Sequence, residues 1–276
     1  MAADLSFKRK ERKYIILEHT FEEIIEQIQE HIPIFYYEDK PGLLNIQTTY
    51  LDTEDFLLFH EYLNKRNFRY KIRLRRYGYD GKYEPEYLIE LKIKHNSIST
   101  KKRFRLPAEH FAAFVKNEDL RQVVKAANQG LIGAQKTYRI IHKLIQINKF
   151  IPVLQTSYNR IAFQKNSKRV RVTVDNGITH KKLTGNPKIE TLDAVVLESK
   201  IMGKSPKWHK KMVNQLSLLK QQRFSKFATG MNSLYFPERG KYNFYNDDET
   251  AMPEIPQRII DSFEMLKAAL KLDDNI

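Results

Sequence analysis

The stretch RYKIRLRRYG, residues 69–78, constrains the fold more tightly than any other part of the chain. Arg69, Lys71, Arg73 and Arg75 alternate with Tyr70, Ile72 and Leu74. A period of two sends successive side chains to opposite faces of a strand, which predicts one cationic face and one apolar face. Four like charges along one strand face repel each other. A single strand of this kind suits an ordinary solvated sheet face, so the meaning of the pattern depends on whether other strands repeat it.

They do. Arg9, Glu11 and Lys13 share a face in FKRKERKYI, which leaves Lys8, Lys10 and Arg12 pointing outward. Glu90, Lys92 and Lys94 oppose Ile89, Leu91 and Ile93 in YLIELKIK, and Lys101, Arg103 and Arg105 oppose Phe104 and Leu106 in TKKRFRL. Arg160 opposes Ile161 and Phe163 in YNRIAF. Arg169, Arg171, Thr173 and Asp175 oppose Val170, Val172 and Val174 in KRVRVTVD, and Glu198 and Lys200 oppose Leu197 and Ile201 in VVLESKI. Exposed sheet faces carry many Ser and Thr, whereas this recurring face is mostly Arg, Lys and Glu. The pattern predicts an α+β fold built on a closed antiparallel β barrel. Its apolar outer face packs under helices and its lumen is polar and basic, because closing removes sheet edges and concentrates positive potential inside a low-dielectric wall.

Helices are expected between the strands. Thr20 and Glu23 form a capping box ahead of the stripe Ile24, Ile25, Ile28 and Ile32, and Pro33 stops that helix. Strands are expected at 7–17, up to Asp52, at 68–77, 86–95 and 101–106, and again between 153 and 202, with DNGITHKKLTGNPK as a turn-like insert. A helical turn fits 54–64, and helical patterns fill 108–148, broken at Gly130 and Gly133. PKWHKKMVNQLSLLKQQ reads as a helix from Pro206, with Trp208 as a packing residue. Residues 1–240 read as the tunnel domain, and 241–276 as a polar linker and a closing amphipathic helix, QRIIDSFEMLKAALKL.

Composition narrows the ligand. The chain holds 48 Lys and Arg against 33 Asp and Glu, a net charge of +15, which points to a polyanion. There is no cysteine, which excludes disulfides, a thiol nucleophile and Cys-ligated zinc. No apolar run reaches the roughly 18 residues of a membrane-spanning helix, and no secretory leader is recognisable. The sequence reads as a soluble cytoplasmic protein.

The stretches FKRKERKY, TTYLDT, RYKIRLRRYG, YLIELKIK, KKRF, YNRIAF, RVRVTVD, VLESK and RFSKF occur in order over roughly residues 7–230. This ordered set resembles the VTC (vacuolar transporter chaperone) domain, a polyphosphate polymerase family of the triphosphate tunnel (CYTH-like) superfamily. The resemblance implies a triphosphate held inside an eight-stranded tunnel. It implies Lys13, Arg73, Arg75, Lys92, Lys101, Arg160, Arg171 and Lys226 as phosphate ligands, joined by Arg103, Lys200, Arg223 and Ser225, with Arg73, Arg75, Lys226 and Glu198 closest to the chemistry. Glu198 is implied as the carboxylate for Mn²⁺ or Mg²⁺, with Glu11 and Glu90 as further carboxylate candidates. Where many hydrolases of the superfamily carry Glu-x-Glu-x-Lys on the first strand, this chain has Arg9-x-Glu11-x-Lys13, which suits the polymerase branch. No stretch resembles the phosphoinositide-sensing module that often accompanies the domain. A separate membrane partner is therefore the expected route for any export, and would hold the protein at the inner face of a membrane.

The expected reaction transfers the γ-phosphoryl of ATP to the end of inorganic polyphosphate. The nucleophile is already anionic, so the task is positioning and charge neutralisation, for which bidentate Arg is suited. Pyrophosphate and phosphate are expected as smaller ligands. A tunnel triphosphatase or nucleotide cyclase, or a non-catalytic binder of polyphosphate or RNA, are the alternatives. Specific nucleic-acid binding is not expected, because a tunnel does not admit a duplex.

Overall fold

The computed structural model describes residues 9–16, 20–36, 43–65, 67–96, 98–164, 169–215, 219–221, 224–243 and 256–270. Along these residues run β1 (Arg9–Ile16), α1 (Phe21–Gln29), β2 (Leu44–Asp52), α2 (Leu57–Leu63), β3 (Phe68–Tyr79), β4 (Lys82–Tyr83), β5 (Glu86–His95), β6 (Ile98–Pro107), α3 (Phe111–Val115), α4 (Arg121–Ala127), α5 (Ala134–Asn148), β7 (Ile151–Gln164), β8 (Val170–Lys182), β9 (Ile189–Leu192), β10 (Val195–Met202), α6 (Lys207–Gln215), β11 (Leu219–Gln221), α7 (Lys226–Tyr235) and α8 (Gln257–Leu270).

All the strands join one antiparallel sheet. Its path runs β11–β1–β10–β8–β7–β2–β3–β5–β6, with β4 on β3 and β9 on β8. The expected eight-stranded antiparallel path is present, but it is not a hydrogen-bonded barrel. Among the described residues no ladder joins β6 to β1. The free edge of β1 is taken by β11, which pairs Tyr14 with Lys220. The sheet is nevertheless curled. Lys13 of β1 acts electrostatically on Lys92 of β5, and Lys200 of β10 on Lys101 of β6, across strands far apart on the path.

The alternation in sequence separates two faces. On the outer face Tyr70, Ile72, Leu74, Ile89, Leu91, Phe104 and Leu106 form a core with α3, α4, α5 and α8. A second outer core places α1 and α6 over Tyr14, Phe163, Val172, Val174 and Leu197. Within it Trp208 packs, its ring 5.3 Å from that of His31. The Thr20–Glu23 capping box is formed. The position of α8 was not legible in advance. Ile259, Phe263 and Leu266 bury against the back of β3, and Asn148 Nδ2 donates to Ser262 Oγ at 2.8 Å.

One end of the inner face is filled by α2 and α7. Phe59, Tyr62, Phe227 and Met231 pack among Ile15, Ile46, Tyr50, Tyr158 and Val196. Buried Asp52 anchors α2, because its carboxylate accepts from the backbone N–H of Thr53, Leu58 and Phe59 at 2.8, 2.8 and 3.0 Å. Burial pushes that carboxyl up to about 7, although the three donors pull the other way. On α7, a Cβ at Gly230 would stand 2.7 Å from His180 Nδ1 and 2.8 Å from Leu154 Cδ2, so the glycine permits this close approach to the sheet.

Two expectations are corrected. DNGITHKKLTGNPK is not an insert, because β8 continues to Lys182. The Asn-Gly pair makes a bulge, with Gly177 at φ +57° and a register shift between Ser157 and Asn159, and Ile178 and His180 return to the buried face. The helix from Pro206 ends at Gln215, and the downstream Leu219–Gln221 is β11. The linker at 244–255 lies outside the described residues.

Candidate functional site

Cross-strand register turns the separate alternations into one surface. β3 and β5 oppose Arg73 to Glu90 and Lys71 to Lys92; β5 and β6 oppose Glu90 to Arg103 and Lys92 to Lys101. β7 and β8 oppose Arg160 to Asp175, β8 and β10 oppose Thr173 to Glu198 and Arg171 to Lys200, and β10 and β1 oppose Glu198 to Lys13 and Lys200 to Glu11. Directly opposed residues share a face, so all of these side chains point inward. Of the thirteen implied phosphate ligands and metal carboxylates other than Ser225 and Arg223, twelve lie on this face and the thirteenth, Lys226, reaches it from α7.

The carboxylates organise the cations into three groups. Glu90, 2% exposed, accepts from Arg73 Nε at 2.7 Å, with Arg75 Nη1 at 4.0 Å and Arg103 Nη2 at 3.9 Å. Burial would raise its pKa, but Arg73 and Arg75 outweigh that and hold it at about 2. Arg75 Nε also donates to Thr48 Oγ1 at 3.1 Å. Fully buried Asp175 accepts from Arg160 Nε and Nη2 at 2.6 and 2.8 Å and from Lys226 Nζ at 2.5 Å. Burial opposes ionisation there too, and Arg160 and Lys226 override it, so the pKa is lowered. The third group joins Glu11 and Glu198 through two lysines. Lys13 Nζ lies 3.4 Å from Glu11 and 3.9 Å from Glu198, and Lys200 contacts Glu198 directly with Glu11 at 3.9 Å. Lys13 also donates to the carbonyl of Phe224 at 3.3 Å, which ties β1 to the segment leading into α7. Glu198 is held well below the usual carboxylate range: burial pushes up, and Lys13, Lys200 and Arg160 pull down further.

The spacing Glu-x-Lys occurs at Glu11 and Lys13, Glu90 and Lys92, and Glu198 and Lys200, and the three carboxylates differ in their partners. Glu11 and Glu198 pair with the lysines of the third group, whereas Glu90 turns to the arginines of β3 and β6. Lys92 and Lys101 have no carboxylate within ion-pair distance among the described residues, and both are lowered to about 8: half-buried Lys92 by loss of solvent and then by Lys13, and the more exposed Lys101 by partial loss of solvent and then by Arg73. Arg171 places its guanidinium 5.6 Å from the ring centroid of Phe35. Ser225 is the N-cap of α7: its hydroxyl accepts from Ala228 N–H at 3.4 Å, and this aims Lys226 at Asp175. Arg223 lies outside the described residues.

Two further residues lie on the face that the resemblance does not name. Tyr158, two positions before Arg160 and in the same phase, is fully enclosed beside Arg160, Arg75 and Lys226, and these outweigh burial to lower its pKa. Lys71 is in phase with Arg73 and Arg75, and the alternation alone marks it.

The carboxylates can be tested as cation ligands. Among the described residues no three His, Asp or Glu side chains converge. Glu90 does not fit a metal, because three guanidiniums already surround it. Glu198 and Glu11, whose partners are the lysines Lys13 and Lys200 rather than guanidiniums, would hold a hard divalent ion. Among the described residues no helix is long and apolar enough to cross a membrane.

Fold and site define a class: a curled antiparallel sheet with a cationic inner face, neutralising carboxylates set within it, and two helices, α2 and α7, filling one end. The chain belongs to the VTC domain family, whose sequence model matches residues 8–235. It is also similar to vacuolar transporter chaperone complex subunit 4 of Trypanosoma brucei brucei (strain 927/4 GUTat10.1). The identity is 22% over 274 aligned positions, covering 83% of this chain and 35% of that protein. The chain thus spans about a third of the length of that relative, and α8 lies beyond the family match.

Proposed function

We propose that the chain is a polyphosphate polymerase that transfers the γ-phosphoryl of ATP to a growing inorganic polyphosphate and releases ADP. Family membership supports a polyphosphate-related role. The observation that carries the reading is the state of the inner carboxylates. Among the described residues Glu90 and Asp175 are each neutralised by cations, which leaves Lys92 and Lys101 in surplus and one carboxylate pair, Glu11 and Glu198, for a metal. A hydrolase must also orient or activate water, which calls for more carboxylate and metal than this face offers.

In the reaction a terminal oxygen of the chain bonds to the γ-phosphorus, and the bond to the β-bridging oxygen breaks. Arg73 and Arg75 hold equatorial phosphoryl oxygens bidentately. Arg160 and Lys226 hold the neighbouring phosphate and keep the attacking and leaving oxygens in line. Lys13, Lys92, Lys101, Arg103, Arg171 and Lys200 neutralise the remaining charge along the face, and Ser225 positions Lys226. Glu198 and Glu11 would hold Mn²⁺ or Mg²⁺, which when bound neutralises charge on the transferring phosphates. On this reading the curled sheet works as a closed tunnel once filled with phosphate, and a separate membrane partner at the cytoplasmic face receives the product.

The test is incubation of the purified protein with ATP and Mn²⁺. The reading expects acid-labile polymer and ADP by phosphorus NMR. Free phosphate alone, cyclic nucleotide, or no turnover contradicts it.

A further inference from the structure

On the inner face Arg73, Arg75, Arg103 and Arg160 each stand by a carboxylate, whereas three lysines, one each on β3, β5 and β6, do not. Lys71, Lys92 and Lys101 stand side by side across the three strands, and among the described residues none has a carboxylate within ion-pair distance. Like charges directly opposed are destabilising, so this row is poised for an anion.

Lys71 is the member nearest the closed end. Its Nζ lies 3.8 Å from the ring centroid of Tyr62 on α2 and 4.4 Å from that of Phe227 on α7. The charged and titratable groups around it are Lys92 on β5, Lys13 on β1, Arg69 and Arg73 on its own strand, and Tyr62. Two ring faces favour an ammonium only modestly. Burial, then the four surrounding cations, lower its pKa well below the ordinary lysine value. An amine so placed gains a partner only when an anion reaches the inner end of the face.

We propose that Lys71 is a further phosphate contact at the inner end of the basic face, and that a condensed phosphate arriving there is bound together with a proton taken from solvent. The inference rests on the condensed-phosphate reading above. The amine lone pair takes up the proton and the resulting ammonium donates to a phosphate oxygen; no other bond changes. The ligand class is the terminal phosphate of a condensed phosphate, whether of an inorganic chain or of a nucleotide. Arginine in place of Lys71 would bind without the proton, because its charge is permanent.

The experiment is titration calorimetry at pH 7.5 in buffers of differing ionisation heat. Tripolyphosphate is one ligand and a non-hydrolysable ATP analogue the other, against wild type, Lys71→Met and Lys71→Arg. Wild type should take up a net fraction of a proton with at least one ligand. The arm that shows it says whether inorganic chain or nucleotide reaches Lys71. Lys71→Arg should keep most of the affinity and lose most of that uptake, and Lys71→Met should lose the uptake and bind about tenfold or more weakly. Equal uptake by Lys71→Arg and wild type overturns the proposal, as does absence of uptake in both arms. Lys71→Arg keeps the test decisive should Lys71→Met not fold. Failure of wild type to bind tripolyphosphate at all is a separate result, and it removes the condensed-phosphate reading itself.

Discussion

Replacing Glu90 by Gln removes one charge from the centre of the arginine cluster and almost no volume. The cost can be worked out in two ways. Arg73 and Arg75 hold the Glu90 carboxyl at about 2 against an ordinary value of 4.5. At about 1.4 kcal/mol for each tenfold change in proton affinity, that is worth about 3 kcal/mol at neutral pH. Removing one partner of a buried ion pair costs about 3–5 kcal/mol by itself. The two agree at about 3 kcal/mol, which for a domain of this size lowers the melting temperature by roughly 6–12 °C. Because the folded-state value is depressed, wild type holds this stability above about pH 4.5 and loses it as pH falls toward 2, whereas Glu90→Gln lacks it throughout. The ligand response should run the other way. With Glu90 neutral, Arg73, Arg75 and Arg103 are free for phosphate, so tripolyphosphate should raise the melting temperature of the variant by more than it raises that of wild type. Thermal melts at pH 7.5, with and without tripolyphosphate, read both effects. A variant that melts within about 2 °C of wild type, or gains less from the ligand, refutes the electrostatic account of the cluster.

Arg73→Ala and Arg75→Ala should each lower polymer synthesis by about 10²–10³-fold, as loss of a donor to a developing charge does elsewhere, while remaining folded by circular dichroism; near-normal synthesis by both would remove them from the chemistry. Glu198→Gln should slow turnover at least about tenfold yet bind a non-hydrolysable ATP analogue within about threefold of wild type, because Lys13 and Lys200 are released to the phosphates; calorimetry set beside the rate checks this. His209, which bridges Ser205 and Ser199 at 3.0 and 2.7 Å and so pins α6 to β10, is lowered to about 4, by burial and then by Arg12. It is held neutral, so the stability it contributes is complete above about pH 6.5 and falls as pH drops toward 4; His209→Gln should flatten the melting temperature across that window, and an unchanged slope would place the acid sensitivity elsewhere.

The alternation of charged and apolar residues made the two faces of the sheet legible, because a side-chain period of two is a local property. Pairing across strands was not. RYKIRLRRYG alone reads as a crowded row of like charges, from which removal of Arg73 would be expected to raise the melting temperature of the empty protein. The register with β5 supplies Glu90, so Arg73→Ala strands a buried carboxylate and should lower it instead. Asp175 and Lys226 lie 51 residues apart in the chain and meet only because Ser225 caps α7 beside β8. The bulge at Gly177 reads as a turn in sequence because Asn-Gly serves both, and tertiary pairing with β7 and β9 decides for the strand. Closure was over-read: the same inward pattern fits a hydrogen-bonded barrel and a curled sheet, and β11 on the edge of β1 distinguishes them.

The central claim is that the inner face is a site for several linked phosphates at once. A charged strand stretch of about seven residues rises roughly 3.3 Å per residue and, once tilted, spans about 15–20 Å. A thermal-shift series from orthophosphate through pyrophosphate and tripolyphosphate to longer chains measures this directly. Stabilisation should climb steeply to tripolyphosphate and level off once the face is filled. Stabilisation by tripolyphosphate no greater than by an equal charge concentration of sulfate would contradict the claim.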